Sequence, residues 1–438
     1  MIILGILNID SSPARALLCF KKIISGGRTI MNTGDIVWIL IATALVMIMT
    51  PTLAFFYGGL VRKKNILSIL MQCMVILCVI SIQWVLFGYS LAFGPDKGGL
   101  IGGLEWLGLA GVGLEPHETY MSTVPHQLFM AFQMMFAVIT PALIIGAFAE
   151  RIKFSGFLLF TILWSSLVYD PLAHWVWAKD GWLASMGALD FAGGTVIHVN
   201  AGVAALVFVL LLGKRTGIEH SRAPHNLPFA VLGAGFLWFG WFGFNAGSAG
   251  SAGPLAVSAF VNTNTAAAAA GVAWMALDWM VNKVPTMLGV ATGLVAGLVA
   301  VTPAAGYVTP LSALLIGMLA GVACFFFVTK VKAWFGYDDS LDVFGVHGVG
   351  GIIGALATGL FATKSINPAG ADGLFYGNAH QLWIQFLTTA VAMLFSAVMT
   401  FLLYRLVDSL VGMRVEARDE NIGLDLTQHH ETGYTLHD

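Results

Sequence analysis

Eleven long apolar stretches leave this chain few folds. They run over about 36–60, 66–92, 126–149, 154–177, 191–213, 227–248, 255–280, 286–304, 310–331, 343–363 and 380–411. Each supplies about 20 or more mostly apolar residues, enough for a helix to cross roughly 30 Å of hydrocarbon. The expected fold class is an all-α integral membrane protein of eleven transmembrane helices, with the lipid bilayer as its surroundings. Composition agrees: only 10% of residues are charged and 58% are hydrophobic, against roughly 25% charged in soluble domains. A net charge of −2, with no basic patch interleaved with aromatics, excludes nucleic acid as a partner. Cys19, Cys73, Cys78 and Cys324 form no CxxC pair and no metal spacing, so no metal or cofactor is expected.

Basic residues orient the spans. Fourteen lie in one set of alternate loops, and only Lys97, Lys179 and Lys364 lie in the other. Positive loops stay inside, so the first span is predicted to start outside and the C-terminus to be cytoplasmic, in a cell (inner or plasma) membrane. Residues 31–412 form the transmembrane domain and 413–438 a cytoplasmic tail, which reads as a solvated terminus. Residues 1–30 carry Arg15, Lys21, Lys22 and Arg28 on the side predicted to be external. They read as an extension ahead of a start at Met31, or as an atypical signal. Eleven spans divide into five, five and one. A repeat with an odd number of spans returns inverted, so an inverted five-plus-five repeat is expected, joined through residues 214–226.

Polar residues inside spans are functional candidates because lipid penalises them. Of eleven histidines, only His198 and His347 fall well within spans, the fifth and the tenth. They are either two unrelated core histidines or a shared site of the two halves. Helix rise puts His198 about 11 Å below the outer end of its span and His347 about 6 Å from its inner end, so contact requires shifted boundaries or tilt. Asp190 and Asp342 open the same two segments and are predicted to cap free N–H groups there. Asp278 is read as the only other acid well inside a span. Phe132 and Phe136 share a helix face, Trp177 closes the fourth span, and Trp241, Phe244 and Ser248 lie towards the outer end of the sixth. Such tryptophans are either interfacial anchors or part of a cation–π site with Ser248 as acceptor.

The segment Asp190-Phe-Ala-Gly-Gly-Thr-Val-Ile-His198-Val-Asn-Ala-Gly202 resembles the signature of ammonium transporters of the Amt/Mep/Rh superfamily. Five further blocks follow the family's order. They are Phe56-Tyr-Gly-Gly-Leu-Val-Arg-Lys-Lys-Asn65, Gly146-Ala-Phe-Ala-Glu-Arg151, Pro224-His-Asn-Leu-Pro228, Gly240-Trp-Phe-Gly-Phe-Asn-Ala-Gly-Ser-Ala-Gly250 and Asp342-Val-Phe-Gly-Val-His-Gly348. The resemblance implies that Phe136, Trp177 and Ser248, with Phe132 beside them, recruit ammonium. It implies that Phe136 and Phe244 close the pore as stacked rings, that His198 and His347 pair within it beside Trp241, and that Asp190 is structurally required. It also implies a transporter rather than an enzyme, and a homotrimer with a central pore in each subunit. The tail would dock beneath the trimer, where a PII-type signalling protein closes some microbial members. The rival readings are an ion-coupled carrier of another small solute, which would want an intramembrane carboxylate, and a haem protein with two axial histidines.

Overall fold

The computed structural model describes residues 31–217 and 224–434. The extension 1–30, and with it the reading of Met31 as the start, lies outside the described residues apart from Met31 itself. Ten helices are long and apolar enough to span a membrane. They are α1 (Thr33–Leu60), α2 (Lys63–Phe93), α3 (His126–Phe148), α4 (Phe154–Ser185), α5 (Gly194–Leu212), α6 (Leu227–Gly247), α7 (Pro254–Asn282), α9 (Pro310–Phe335), α10 (Phe344–Phe361) and α11 (Ala379–Val411). The eleventh apolar segment, α8 (Met287–Val301), has 15 residues and continues in turns. It is shorter than the stretch 286–304 suggested. No strand occurs among the described residues.

Side-chain caps start several helices. Asn32 accepts the N–H groups of Gly34 and Asp35 at α1, and Asn226 that of Phe229 at α6. Thr309 caps α9 ahead of Pro310, where the missing N–H costs nothing. Lipid provides no hydrophobic drive between helices, so close contact must come from small residues. The crossing of α5 and α10 is the tightest case that bears on the site. A Cβ on Gly202 would stand 2.2 Å from the Gly348 nitrogen, so both backbones meet there.

Turns of π-helix mark the repeat. In α4 one occupies Ser165–Tyr169, and in α9 another occupies Phe327–Val331. In α5 one occupies Gly194–Val199, and in α10 another occupies Phe344–Gly348. These are the fourth and fifth helices of each half; a further such turn, Trp84–Gly88 in α2, has no counterpart in α7.

Two sequence expectations need correction. Asp278 is not the only other acid inside a span: Asp170 lies within α4 with no exposure, its Oδ2 accepting from Gln83 Nε2 at 2.8 Å. The tail is also not a free solvated end. Two short helices, α12 (Ala417–Ile422) and α13 (Leu424–His429), lie against the bundle. Met413, Glu420 and Leu424 are buried, and Leu424 N–H donates to Asn65 Oδ1.

Candidate functional site

The site grows from the starts of α5 and α10. Gly193 takes a left-handed φ of 109°, which a side chain would oppose. The turn after it delivers four N–H groups to the Asp190 carboxylate. Gly193 and Gly194 donate to Oδ1, and Thr195 and Val196 donate to Oδ2, at 2.6 to 3.0 Å. Asp190 therefore satisfies most of the free donors of this helix end. The matching cap of α10 is Asp339, whose Oδ2 accepts the Phe344 N–H at 2.8 Å. Asp342 does not cap: it holds a left-handed φ of 62°, and its carboxylate pairs with Lys332. Its structural role is that ion pair.

Both helices start inside the bundle, so their first turns carry His198 and His347 to the same depth. This resolves the conflict between the two depths. The Nδ1 atoms lie 3.2 Å apart and the rings stack at 5.3 Å. One Nδ1 must donate and the other accept, so the two neutral rings carry opposite tautomers. His198 Nε2 is buried with no hydrogen-bond partner. Its ring stacks on Trp241 at 5.4 Å, and Trp241 donates to Thr302 Oγ1. The rings border a cavity of about 10 Å³ whose other walls are apolar, among them Met49, Leu53, Ile139 and Val295. That is room for about one water-sized molecule.

Above this cavity lie two phenyl rings. Phe244 is 6.0 Å from His198, and Phe136 lies 4.5 Å from Phe244. Trp177 meets Phe136 edge-on at 6.1 Å and donates its Nε1–H to the Asp190 carbonyl. Phe136 and Trp177 then line a cleft of about 490 Å³, with Ser248 on another wall. The Ser248 hydroxyl donates to the Phe244 carbonyl, which leaves its oxygen lone pairs as acceptors. Phe132 does not line the cleft: it is fully buried behind Phe136, 4.8 Å away. Sequence reasoning missed Tyr120, Gln133 and Phe191 in the cleft wall. Tyr120 belongs to an irregular loop with no periodicity to flag it. Among the described residues no charged side chain lines the cleft.

The opposite end, beneath α3, is densely charged. Arg215 bridges Glu150 and Asp338. Burial opposes ionisation of Asp338, yet its bonds and attraction to Arg215 hold the carboxyl down to about 2. Glu420 from α12 accepts from Thr216 and Arg414, tying the tail to this network. Among the described residues no group of three His, Cys, Asp or Glu could hold a metal.

A model of the Ammonium Transporter Family matches residues 37–434. The chain belongs to the ammonium transporter family. An ammonium transporter of Bacillus subtilis is 53% identical over 404 residues, covering 92% of this chain and 99% of that one. Ammonium transporter Amt1 of Archaeoglobus fulgidus is 44% identical, covering 92% of this chain and 100% of its own. Among solved structures, Mep2 of Candida albicans superposes with a TM-score of 0.85 at 35% identity, covering 93% of this chain and 94% of its own. Like its family, this chain is a multi-pass membrane protein, and the paired histidines lie within the matched region.

Proposed function

We propose that this chain transports ammonium, recruiting the cation in the aromatic cleft and conducting ammonia past the histidine pair. The contact between His198 and His347 beside a narrow apolar cavity carries the reading. In the cleft, the faces of Trp177 and Phe136 attract a small cation, and the Ser248 oxygen accepts one of its N–H groups. Potassium matches ammonium in charge but donates no hydrogen bond and has no proton to lose. Beyond Phe136 and Phe244 an ion would lose its hydration in an apolar passage, at a cost of several kcal/mol. Ammonium escapes that cost by leaving its proton behind. Neutral ammonia then meets imidazole nitrogens that both donate and accept. Trp241 fixes the His198 ring by stacking, Asp190 and Asp339 cap the two helix ends around it, and Asp342 supports the second through its ion pair with Lys332.

The neighbouring readings fit less well. Two rings in direct contact leave no space for an iron between them, which removes the haem arrangement. Asp170 does supply the buried carboxylate that an ion-coupled carrier of another solute would use, but it lies outside both the cleft wall and the histidine cavity. The family relationship favours ammonium. The same reading takes the protein to be a homotrimer with one pore per subunit, in a cell membrane, with the cleft outside and the tail cytoplasmic. The docked tail face is where a PII-type signalling protein would bind.

The test is a current and flux measurement on the purified protein in liposomes, with imposed ammonium and potassium gradients. Ammonium should drive uptake and potassium should not. Equal responses to both cations would overturn the reading.

A further inference from the structure

A second aspartate stands to His347 as Asp190 stands to His198. Each lies eight residues before its histidine. Each accepts the N–H five residues further on, from Thr195 at 2.9 Å and from Phe344 at 2.8 Å. The two caps differ in completeness. Both oxygens of Asp190 are engaged by main-chain donors. At Asp339 the Phe344 N–H donates to Oδ2 and the Val343 N–H adds to the hold, while Oδ1 is buried with no hydrogen-bond partner. The sequence places Asp342 nearer to the helix start, yet the geometry gives the cap to Asp339.

The surroundings of Asp339 are charged from several elements. Lys332 of α9 donates to its main-chain carbonyl at 2.8 Å and also pairs with Asp342. Tyr57 of α1 and Arg151 after α3 face it, and Arg151 in turn meets Asp338. Arg215 lies within the electrostatic reach of Lys332. Burial pushes the Asp339 carboxyl up, Lys332 pulls it down and Asp342 pushes it up again, to about 6.

We propose that Asp339 is a positioning residue for His347, and that its one-sided cap lets acidity at the tail face set how firmly the first turn of α10 is held. This rests on the reading of the histidine pair as the conducting element. Ionised, Asp339 accepts the Phe344 N–H and complements the positive end of the helix. Protonated, it loses that charge, and its hold on the positive helix end weakens to that of a neutral carbonyl acceptor. The turn Phe344–Gly348 then loosens, and His347 loses its fixed approach to His198. Asp190 holds its helix end by four main-chain donors, so the first turn of α5 has more bonds to keep it in place.

The experiment uses the full chain in liposomes, with ammonium uptake recorded from about pH 5 to 8, where ammonium remains predominantly protonated. Wild type should lose about twofold or more of its uptake rate below pH 6, the scale expected when a charged cap is lost. Asp339→Asn keeps an acceptor for the Phe344 N–H but cannot ionise, so its decline should vanish. Asp342→Asn should move the decline to lower pH, because it removes the charge that raises the Asp339 carboxyl. Hydrogen exchange supplies a readout besides transport. Once corrected for the intrinsic rate, the amides of 344–348 should exchange faster below pH 6 in wild type and not in Asp339→Asn. A wild-type uptake profile in Asp339→Asn, or pH-independent protection of those amides, would overturn the proposal. Normal flux in His198→Ala and His347→Ala would instead sink the histidine reading. The exchange measurement would still judge the cap.

Discussion

Gly202 of α5 meets Gly348 of α10 backbone to backbone, four residues beyond His198 and one beyond His347. The contact that brings the rings together is therefore set by the absence of side chains next to them. Gly202→Ala would place a methyl group 2.2 Å from the Gly348 nitrogen, and main chain cannot swing aside as a side chain can. The expected cost is about 1–3 kcal/mol of stability, together with reduced ammonium flux. A thermal midpoint in detergent and a liposome flux assay check both. A variant with wild-type midpoint and flux would show that the helices can part at no cost to function.

Trp177→Leu keeps an apolar side chain but removes the indole face and its bond to the Asp190 carbonyl. Loss of a cation–π contribution of about 0.5–2 kcal/mol corresponds to a several-fold to about thirtyfold rise in the ammonium concentration giving half-maximal transport. Phe132→Leu, behind the cleft wall, should move that concentration much less. A Trp177 variant with unchanged concentration dependence would remove the indole from recruitment.

The histidine pair has a sharper probe than deletion. His347→Asp sets a fixed negative charge beside the narrow cavity, where an ionised carboxylate favours a cation over a neutral molecule. Potassium permeation should rise relative to ammonium in correctly assembled protein, measured as a reversal-potential shift. Continued potassium exclusion together with undiminished ammonium flux would contradict the proposed conduction of ammonia.

The charged network at the tail face makes stability depend on acid. The Asp338 carboxyl is held at about 2 in the folded protein, below the usual value of about 3.9. A lowered carboxyl stabilises above its unfolded value and loses that contribution as pH falls through the folded one. The loss therefore runs from about pH 4 to 2 and amounts to about 2.6 kcal/mol at most. Arg215→Met should lower the thermal midpoint at neutral pH and flatten the acid-induced fall. An unchanged acid profile in that variant would show that Arg215 does not hold Asp338 ionised.

The spans were legible because bilayer thickness dictates their length, and His198 and His347 because ionisable residues are rare in such segments. The cap on α10 was not. Asp342 is closer in sequence to Phe344, but Lys332 draws it away and Asp339 reaches back from an earlier turn. Asp170 was missed inside a long apolar run, where its neighbours set the reading. The tail reads as soluble because its charged side chains find partners on distant loops, Glu420 with Thr216 and Arg414 with the Leu212 carbonyl. Nothing in local periodicity reports such partners. Phe132 shares a helix face with Phe136, yet only Phe136 lies at the cleft surface, and one helical turn decides the difference.

The cleft wall contains aromatic rings, hydroxyls and an amide but no formal charge. Attraction of that kind acts at contact distance, well inside the roughly 8–10 Å over which dissolved salt screens charges. On the proposed function, the contact part of recruitment would therefore depend little on the salinity of the water bathing it. A carboxylate-lined funnel would gather ions faster in dilute water and lose that advantage in brine. Here the lining itself is uncharged, and any such steering falls to Asp35, bonded to Thr123 of the wall, and Asp180 near Tyr120.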